Sequence, residues 1–187
     1  LAGQSFPERF AGLDESFAGL ILLGYHAMAG TPAAVCAHTM SSVSWERYEL
    51  CGTEVGEVGI DAALAGTYGV PVVMVSGDDK VCAEARSLLA CDLVTCEVKR
   101  GLNRHGALMK SPAAARALVR EAASLAVARA PKPAAYAPLP YYEARLTYVE
   151  ASMAEDRLRT TDAQRLDDRT LLFRGDDLRE VIHRSLG

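Results

Sequence analysis

The 187-residue sequence lacks the features that mark several large classes of protein. Its apolar runs are far shorter than the about 20 residues that cross a bilayer, so no membrane partner is expected. Lys and Arg number 20 against 24 Asp and Glu, which gives a net charge of -4, and no segment gathers the basic residues into a stripe. A nucleic-acid partner is therefore not expected either.

The cysteines are few, odd in number and scattered. They contain no Cys-x-x-Cys pair, which argues against a disulfide framework and against a four-thiolate zinc site. The five are Cys36, Cys51, Cys82, Cys91 and Cys96. Reduced thiols in a cytoplasmic protein are the expectation.

Apolar runs alternate with segments of helical periodicity along most of the chain. Two unalternating runs, residues 19–24 and 70–76, predict strands buried on both faces of a parallel sheet. The expected helices are residues 8–17, one opening at Glu57, 79–89, 112–129 and 176–186. The other expected strands are a hairpin of residues 45–50 and 53–55, then 93–98, 142–149 and 169–174, of which the last two suit antiparallel or edge strands.

This order of elements predicts an α/β fold, layered, with a mainly parallel central sheet and a C-terminal α+β portion. Residues 131–140 hold four prolines and cannot continue a helix or a central strand. We therefore expect residues 1–130 to form the α/β portion that carries the functional site. Residues 131–187 would form a linker followed by a strand and helix portion.

Two histidines and a glutamate lie within about thirty residues of each other in the first part of the chain. His26 ends the first apolar run, and ligands of open α/β sheets gather beyond the carboxyl ends of such strands. His38 follows a loop containing Gly and Pro and can fold back over the same edge, while Glu57 opens a helix. Imidazole and carboxylate are common zinc ligands, so the three are candidates for a hydrolytic metal site.

Each candidate also has a purely structural interpretation. A histidine at a strand end is often a hydrogen-bonded structural residue, and the helix macrodipole favours Glu57 in a first turn whatever its role. Asp78, which follows a strand and precedes a helix, is most simply an N-cap. Cys36 could act as a nucleophile with His38 as its base, although its apolar neighbours favour an inert buried thiol.

Several linked motifs, in order and at matching spacing, resemble the DppA-type family of zinc-dependent D-aminopeptidases, and the likeness covers essentially the whole chain. The motifs are residues 22–27 (LLGYHA), 31–32 (TP), 37–40 (AHTM), 56–59 (GEVG) and 71–79 (PVVMVSGDD). By this resemblance His26 and Glu57 are metal ligands, and His38 is the catalytic residue. The resemblance further implies two zinc ions per site, short D-amino-acid peptides or amides as substrates, and a homo-oligomer, a ring-like decamer in the family.

The sequence also departs from the family pattern. Family members carry an Asp-x-Glu-Gly motif and a later Asn-Asp-x-His segment that supply further zinc ligands, and neither occurs here. Roughly eighty residues of the family pattern would precede Leu1. The expected function is thus a metallo-aminopeptidase, inactive as these 187 residues alone. Two alternatives stay open: a binding or assembly subunit without the metal centre, and a hydrolase built on Cys36 and His38.

Overall fold

Two β-sheets and the helices that cover them make up the part of the chain that the computed structural model describes, residues 9–89, 93–130, 135–138 and 142–187. The strands are β1 Leu20–Tyr25, β2 Trp45–Leu50, β3 Thr53–Glu54, β4 Val72–Asp78, β5 Val94–Asn103, β6 Gly106–Met109, β7 Tyr142–Tyr148, β8 Gln164–Arg165 and β9 Thr170–Gly175. The helices are α1 Glu57–Gly66, α2 Asp79–Leu88, α3 Pro112–Arg129, α4 Ala151–Leu158 and α5 Leu178–Leu186. None of these helices is long and apolar enough to cross a membrane.

The first sheet has the strand order β1-β4-β5-β6, and its first three strands run parallel, as the sequence predicts. Helices α1 and α2 cover one face, where Leu22 and Val75 pack against Val58 and Val81. Helix α3 covers the other face through Ala126. Because the strands are parallel, the ends of β1 and β4 and the start of α2 meet at one edge of the sheet.

Strand β1 differs from its prediction, because only one of its faces is buried. Leu22 is 1% exposed, whereas Ile21 and Leu23 are 38% and 62% exposed. β1 lies at the edge of the sheet, and α3 packs mainly on β4 and β5. The apolar run predicts a strand correctly, but composition alone cannot show which faces a neighbouring element covers.

The second sheet is antiparallel throughout, with the order β3-β2-β7-β9-β8. The predicted hairpin forms, and it pairs through β2 with β7, which is a central strand of this sheet. Tyr48, Leu146 and Phe173 point to one face and pack against α5. The sheet therefore joins strands from before residue 130 to strands from residue 142 onwards.

Residues 9–17 form turns, so the predicted surface helix at 8–17 is wrong over its described part. Phe10 and Gly12 have φ of 60° and 88°, which no right-handed helix accommodates. The sequence interpretation also missed β6, β8 and α4, which are short elements or begin without a side-chain N-cap. Of the proline-rich stretch 131–140, only residues 135–138 are described, so most of the expected linker lies outside the described residues.

Candidate metal centre

The two candidate histidines lie on one irregular segment between β1 and β2, residues 26–40, which we call the histidine loop. Its backbone bends sharply, since Ala33, Cys36 and Met40 all have φ between 52° and 59°, a region that residues with a side chain seldom adopt. The N–H of His38 donates to the carbonyl of Ala27 at 3.1 Å and closes the loop. The loop therefore returns His38 to the end of β1, as the sequence predicts.

His26 and His38 are neighbours with fixed ring orientations. Their ring centroids are 5.5 Å apart. Nδ1 of His26 lies 2.9 Å from the carbonyl oxygen of Val35, and Nδ1 of His38 lies 2.7 Å from that of Cys36. A carbonyl can only accept, so each Nδ1 donates a hydrogen bond, and in the neutral imidazole the lone pair is then on Nε2. Histidines that bind metals are held in this way.

Glu57 joins this pair from the first turn of α1. Its Oε1 lies 3.4 Å from Nε2 of His38 and accepts a hydrogen bond from the N–H of Met40 at 3.1 Å. Both side chains are largely buried, 22% exposed for His38 and 16% for Glu57. The structure thus brings all three predicted residues to one place, with His38 contacting both His26 and Glu57.

Asp78 fixes the histidine loop to the start of α2. Its Oδ1 accepts from the N–H groups of Lys80 and Val81 at 3.0 and 2.9 Å, which is the N-cap that the sequence predicts. Its Oδ2 accepts from the N–H of Val35 at 2.7 Å. One fully buried carboxylate therefore caps the helix and also holds the residue whose carbonyl orients His26.

The β5–β6 hairpin holds the loop from a second side. The guanidinium of Arg104 donates to the carbonyl of Ala37, and the carbonyl of Arg104 accepts from the N–H of Cys36 at 2.9 Å. Gly101 packs so closely that a Cβ there would overlap the carbonyl oxygen of Ala33. The residues flanking His38 are thereby fixed by backbone contacts that no local sequence pattern reveals.

A buried network links β1 to α1 next to the site. The hydroxyl of Tyr25 donates to Oδ2 of Asp61 at 2.5 Å, and the guanidinium of Arg9 donates to both oxygens of Asp61. The hydrogen bond to Asp61 raises the pKa of Arg9, and burial together with the charge of Asp61 raises the pKa of Tyr25. Tyr25 adjoins His26 and Asp61 lies one turn after Glu57, so the network sets the spacing of the two elements.

Glu84 reaches the loop from α2. Its Oε2 accepts from the N–H of Met28 at 2.8 Å, while its Oε1 is buried without a hydrogen-bond partner among the described residues. Burial, reinforced by the charges of Asp78 and Glu57 and opposed by the Met28 hydrogen bond, raises the pKa of Glu84 to about 7. The sequence interpretation overlooked Glu84, although its place between Val81 and Leu88 on the apolar face of α2 was a usable signal.

The donor chemistry fits zinc, but the number of donors is small. Imidazole Nε2 atoms with their Nδ1–H groups held by carbonyls, next to a carboxylate, are the groups that zinc prefers. Within the described ranges, however, no three His, Cys, Asp or Glu side chains are placed so that they could hold one metal ion together. Among the described residues, these donors are thus too few to form a complete zinc site.

The contact between Cys36 and His38 runs through the carbonyl of Cys36 and not through its sulfur. In the part of the chain that the structure describes, no hydrogen bond joins the thiol to the imidazole. Cys36 is exposed. A thiol nucleophile must be within hydrogen-bond reach of its base, so this geometry gives the Cys-His alternative no support.

An α/β fold that brings imidazole and carboxylate groups together at the edge of a parallel sheet is an arrangement that metal-dependent hydrolases use. The family model for D-aminopeptidase matches residues 4–185. The chain therefore belongs to the D-aminopeptidase family, which confirms the resemblance drawn from the motifs.

A curated sequence and a solved structure, both from Bacillus subtilis, give the match its detail. The chain is 40% identical over 116 residues to a D-aminopeptidase of strain 168, an alignment that covers 62% of this chain and 41% of that protein. The chain thus spans less than half the length of that curated relative. A solved structure of the Zn-dependent D-aminopeptidase DppA, a self-compartmentalizing protease, superposes with a TM-score of 0.92 and 30% identity. That comparison covers all of this chain and 68% of the other, and it confirms the α/β fold.

Proposed function

We propose that the protein is a zinc-dependent aminopeptidase that hydrolyses short D-amino-acid peptides or amides in the cytoplasm. The observation that carries the proposal is the pairing of His38 with Glu57 at 3.4 Å, beside His26, in a chain of the D-aminopeptidase family. We assign His26 and Glu57 as metal ligands and His38 as the catalytic residue. All three lie in the 1–130 portion, which we propose carries the site.

The chain's own residues can orient the donors and move a proton. The carbonyl of Cys36 holds the Nδ1 side of His38, so the neutral imidazole can accept a proton at Nε2 without turning. The carboxylate of Glu57 beside that atom stabilises the imidazolium that results. When bound, zinc would supply Lewis acidity to the scissile carbonyl and to the attacking water.

We further propose a homo-oligomer. DppA is described as self-compartmentalizing, which implies assembly of that protein. Here, the exposed Ile21 and Leu23 leave an apolar strip on an edge strand, a feature that proteins usually cover. Sedimentation or light scattering would test this, and a 20.0 kDa monomer at micromolar concentration would contradict it.

A second candidate function is a binding or assembly subunit that keeps the fold but does not hydrolyse peptides. It is favoured by the small donor set, because among the described residues no third ligand joins His26 and Glu57 as a metal-holding group. Two donors alone bind zinc weakly. Zinc titration by calorimetry separates this candidate from the enzyme.

The decisive experiment assays D-alanyl p-nitroanilide hydrolysis, with zinc added, for the 187-residue chain and for a longer form that carries the family's N-terminal segment. Because the described donors are too few for a complete zinc site, we expect activity only in a form that supplies further ligands. In it, His38→Ala should lower kcat/KM on the order of 100-fold or more with little change in Tm. Cys36→Ala is the matched control and should keep its activity.

Equal activity in the two forms would show that the 187 residues already contain all the ligands and that the assignment of His26 and Glu57 alone is incomplete. An inactive longer form that binds zinc poorly would favour the assembly subunit.

A further inference from the structure

We propose that Glu84 is a positioning residue that holds the histidine loop against α1, so that His38 meets Glu57. This inference rests on the function proposed above for the two histidines. It concerns a residue outside the sequence motifs, on the face of α2 that packs under the loop.

The carboxylate of Glu84 contacts both parts of the site. Its Oε2 accepts from the N–H of Met28 at 2.8 Å, two residues after His26. A Cβ built on Gly56 would lie 2.7 Å from Oε1 of Glu84 and 2.7 Å from the Cβ of Met28. Glu84, Met28 and the residue directly before Glu57 are therefore in mutual contact, with no space left between them.

Stability does not explain a glutamate at this position. Its Oε1 is buried with no hydrogen-bond donor in the described part of the chain, which is unfavourable for a carboxylate. An apolar side chain would fill the same space without that cost. What the carboxylate adds is an acceptor that fixes the direction of the Met28 N–H, and with it the start of the histidine loop.

Glu84 influences the position of His38 through hydrogen bonds within the histidine loop. The N–H of His38 donates to the carbonyl of Ala27, the residue next to Met28. The N–H of Ala29, on the other side of Met28, donates to the hydroxyl of the buried Thr39 at 3.2 Å. A shift of Met28 would move both hydrogen bonds, and misplacement of a catalytic group by about 1 Å lowers rates on the order of 100-fold.

The test compares Glu84→Ala, Glu84→Gln and, as a control, Glu121→Gln on the exposed surface of α3. Two readouts are used: hydrogen exchange of the Met28 amide in the 187-residue chain, and kcat and KM in the longer form. Glu84→Ala should speed exchange by about tenfold or more and lower kcat about 10- to 100-fold with KM nearly unchanged. Glu84→Gln keeps an acceptor for the N–H of Met28, so most of the slow exchange and most of the kcat should be retained. The control Glu121→Gln should match the wild type in both readouts.

The outcomes separate positioning from support of the fold. The proposal is overturned if Glu84→Ala speeds exchange of the Met28 amide but leaves kcat unchanged, or if it changes neither. A residue that only supports the fold would lower Tm without changing kcat per folded molecule. Should Glu84→Ala fail to fold, Glu84→Asp withdraws the carboxylate by one CH₂ and carries the same expectation. If the longer wild type is inactive while Glu84→Ala still frees the Met28 amide and shifts the ¹⁵N signals of His26 and His38, the proposed enzyme function fails and the positioning role stands.

Discussion

The two sheets of this protein differ in how completely their faces are buried. The antiparallel sheet packs Tyr48, Leu146 and Phe173 against α5 on one face. Ion pairs such as Arg174 with Glu143 lie on its exposed side. The parallel sheet buries β4 completely but leaves Ile21 and Leu23 of β1 exposed, and its edge carries the histidine loop. The antiparallel sheet is thus built for stability, while the parallel sheet combines an open edge with buried charged groups around the candidate site.

The largest expected effect comes from truncating one apolar side chain in each sheet and comparing the free energies of unfolding. Phe173→Ala removes a fully buried ring from the antiparallel core and should lower the free energy of unfolding by about 3–5 kcal/mol. Leu23→Ala truncates a side chain that is 62% exposed and should lower it by about 0.5 kcal/mol or less. Urea unfolding of both variants measures the difference. Similar losses would mean that β1 is covered in solution, as an oligomer would cover it.

A second, smaller effect is the pH dependence of stability that Glu84 causes, on helix α2 beside the parallel sheet. The folded-state pKa of Glu84 is about 7, above its ordinary value of 4.5. Between these two pH values the carboxyl group stays protonated in the folded state, whereas it is ionised in the unfolded chain. The stability of the wild type should therefore be greatest below pH 4.5 as far as this group is concerned, and it should fall as the pH rises towards about 7.

Glu84→Gln removes this titration, so unfolding curves of the two proteins in chelator should diverge between about pH 4.5 and 7 and run parallel above that range. The size of the divergence is up to about 3 kcal/mol, from the pKa difference. A constant difference across the range would show that Glu84 ionises normally and is hydrated in solution.

The smallest expected effect is the loss of unfolding free energy when one tyrosine hydroxyl is removed from each sheet. Tyr25 donates to the charged Asp61 at 2.5 Å, and Tyr48 pairs with the hydroxyl of Ser185 at 2.8 Å. Tyr25→Phe should lower the free energy of unfolding by about 1.5 kcal/mol, because hydrogen bonds to charged groups are stronger. Tyr48→Phe should lower it by about 1 kcal/mol or less, since Ser185 also bonds to the carbonyl of Ile182. A reversed order would indicate that Arg9 alone satisfies Asp61.

The sequence alone determined the elements whose signals are local. Unalternating β-rich runs predicted β1 and β4, the Ser111-Pro112 pair predicted the start of α3, and Asp78 was correctly interpreted as the cap of α2. The linked motifs identified the family and pointed to His26, His38 and Glu57. Such features can be predicted because helix capping, strand periodicity and motif spacing depend on residues that are close in the chain.

The tertiary structure decided what depends on residues far apart in the chain. Only the fold shows that β1 keeps one face open, because that depends on where α3 packs. Only the fold places Glu84, Asp78 and Arg104 around the histidine loop, at sequence separations of 56, 43 and 67 residues. Burial and hydrogen bonding at such distances arise from the packing of whole elements, and no local pattern encodes them.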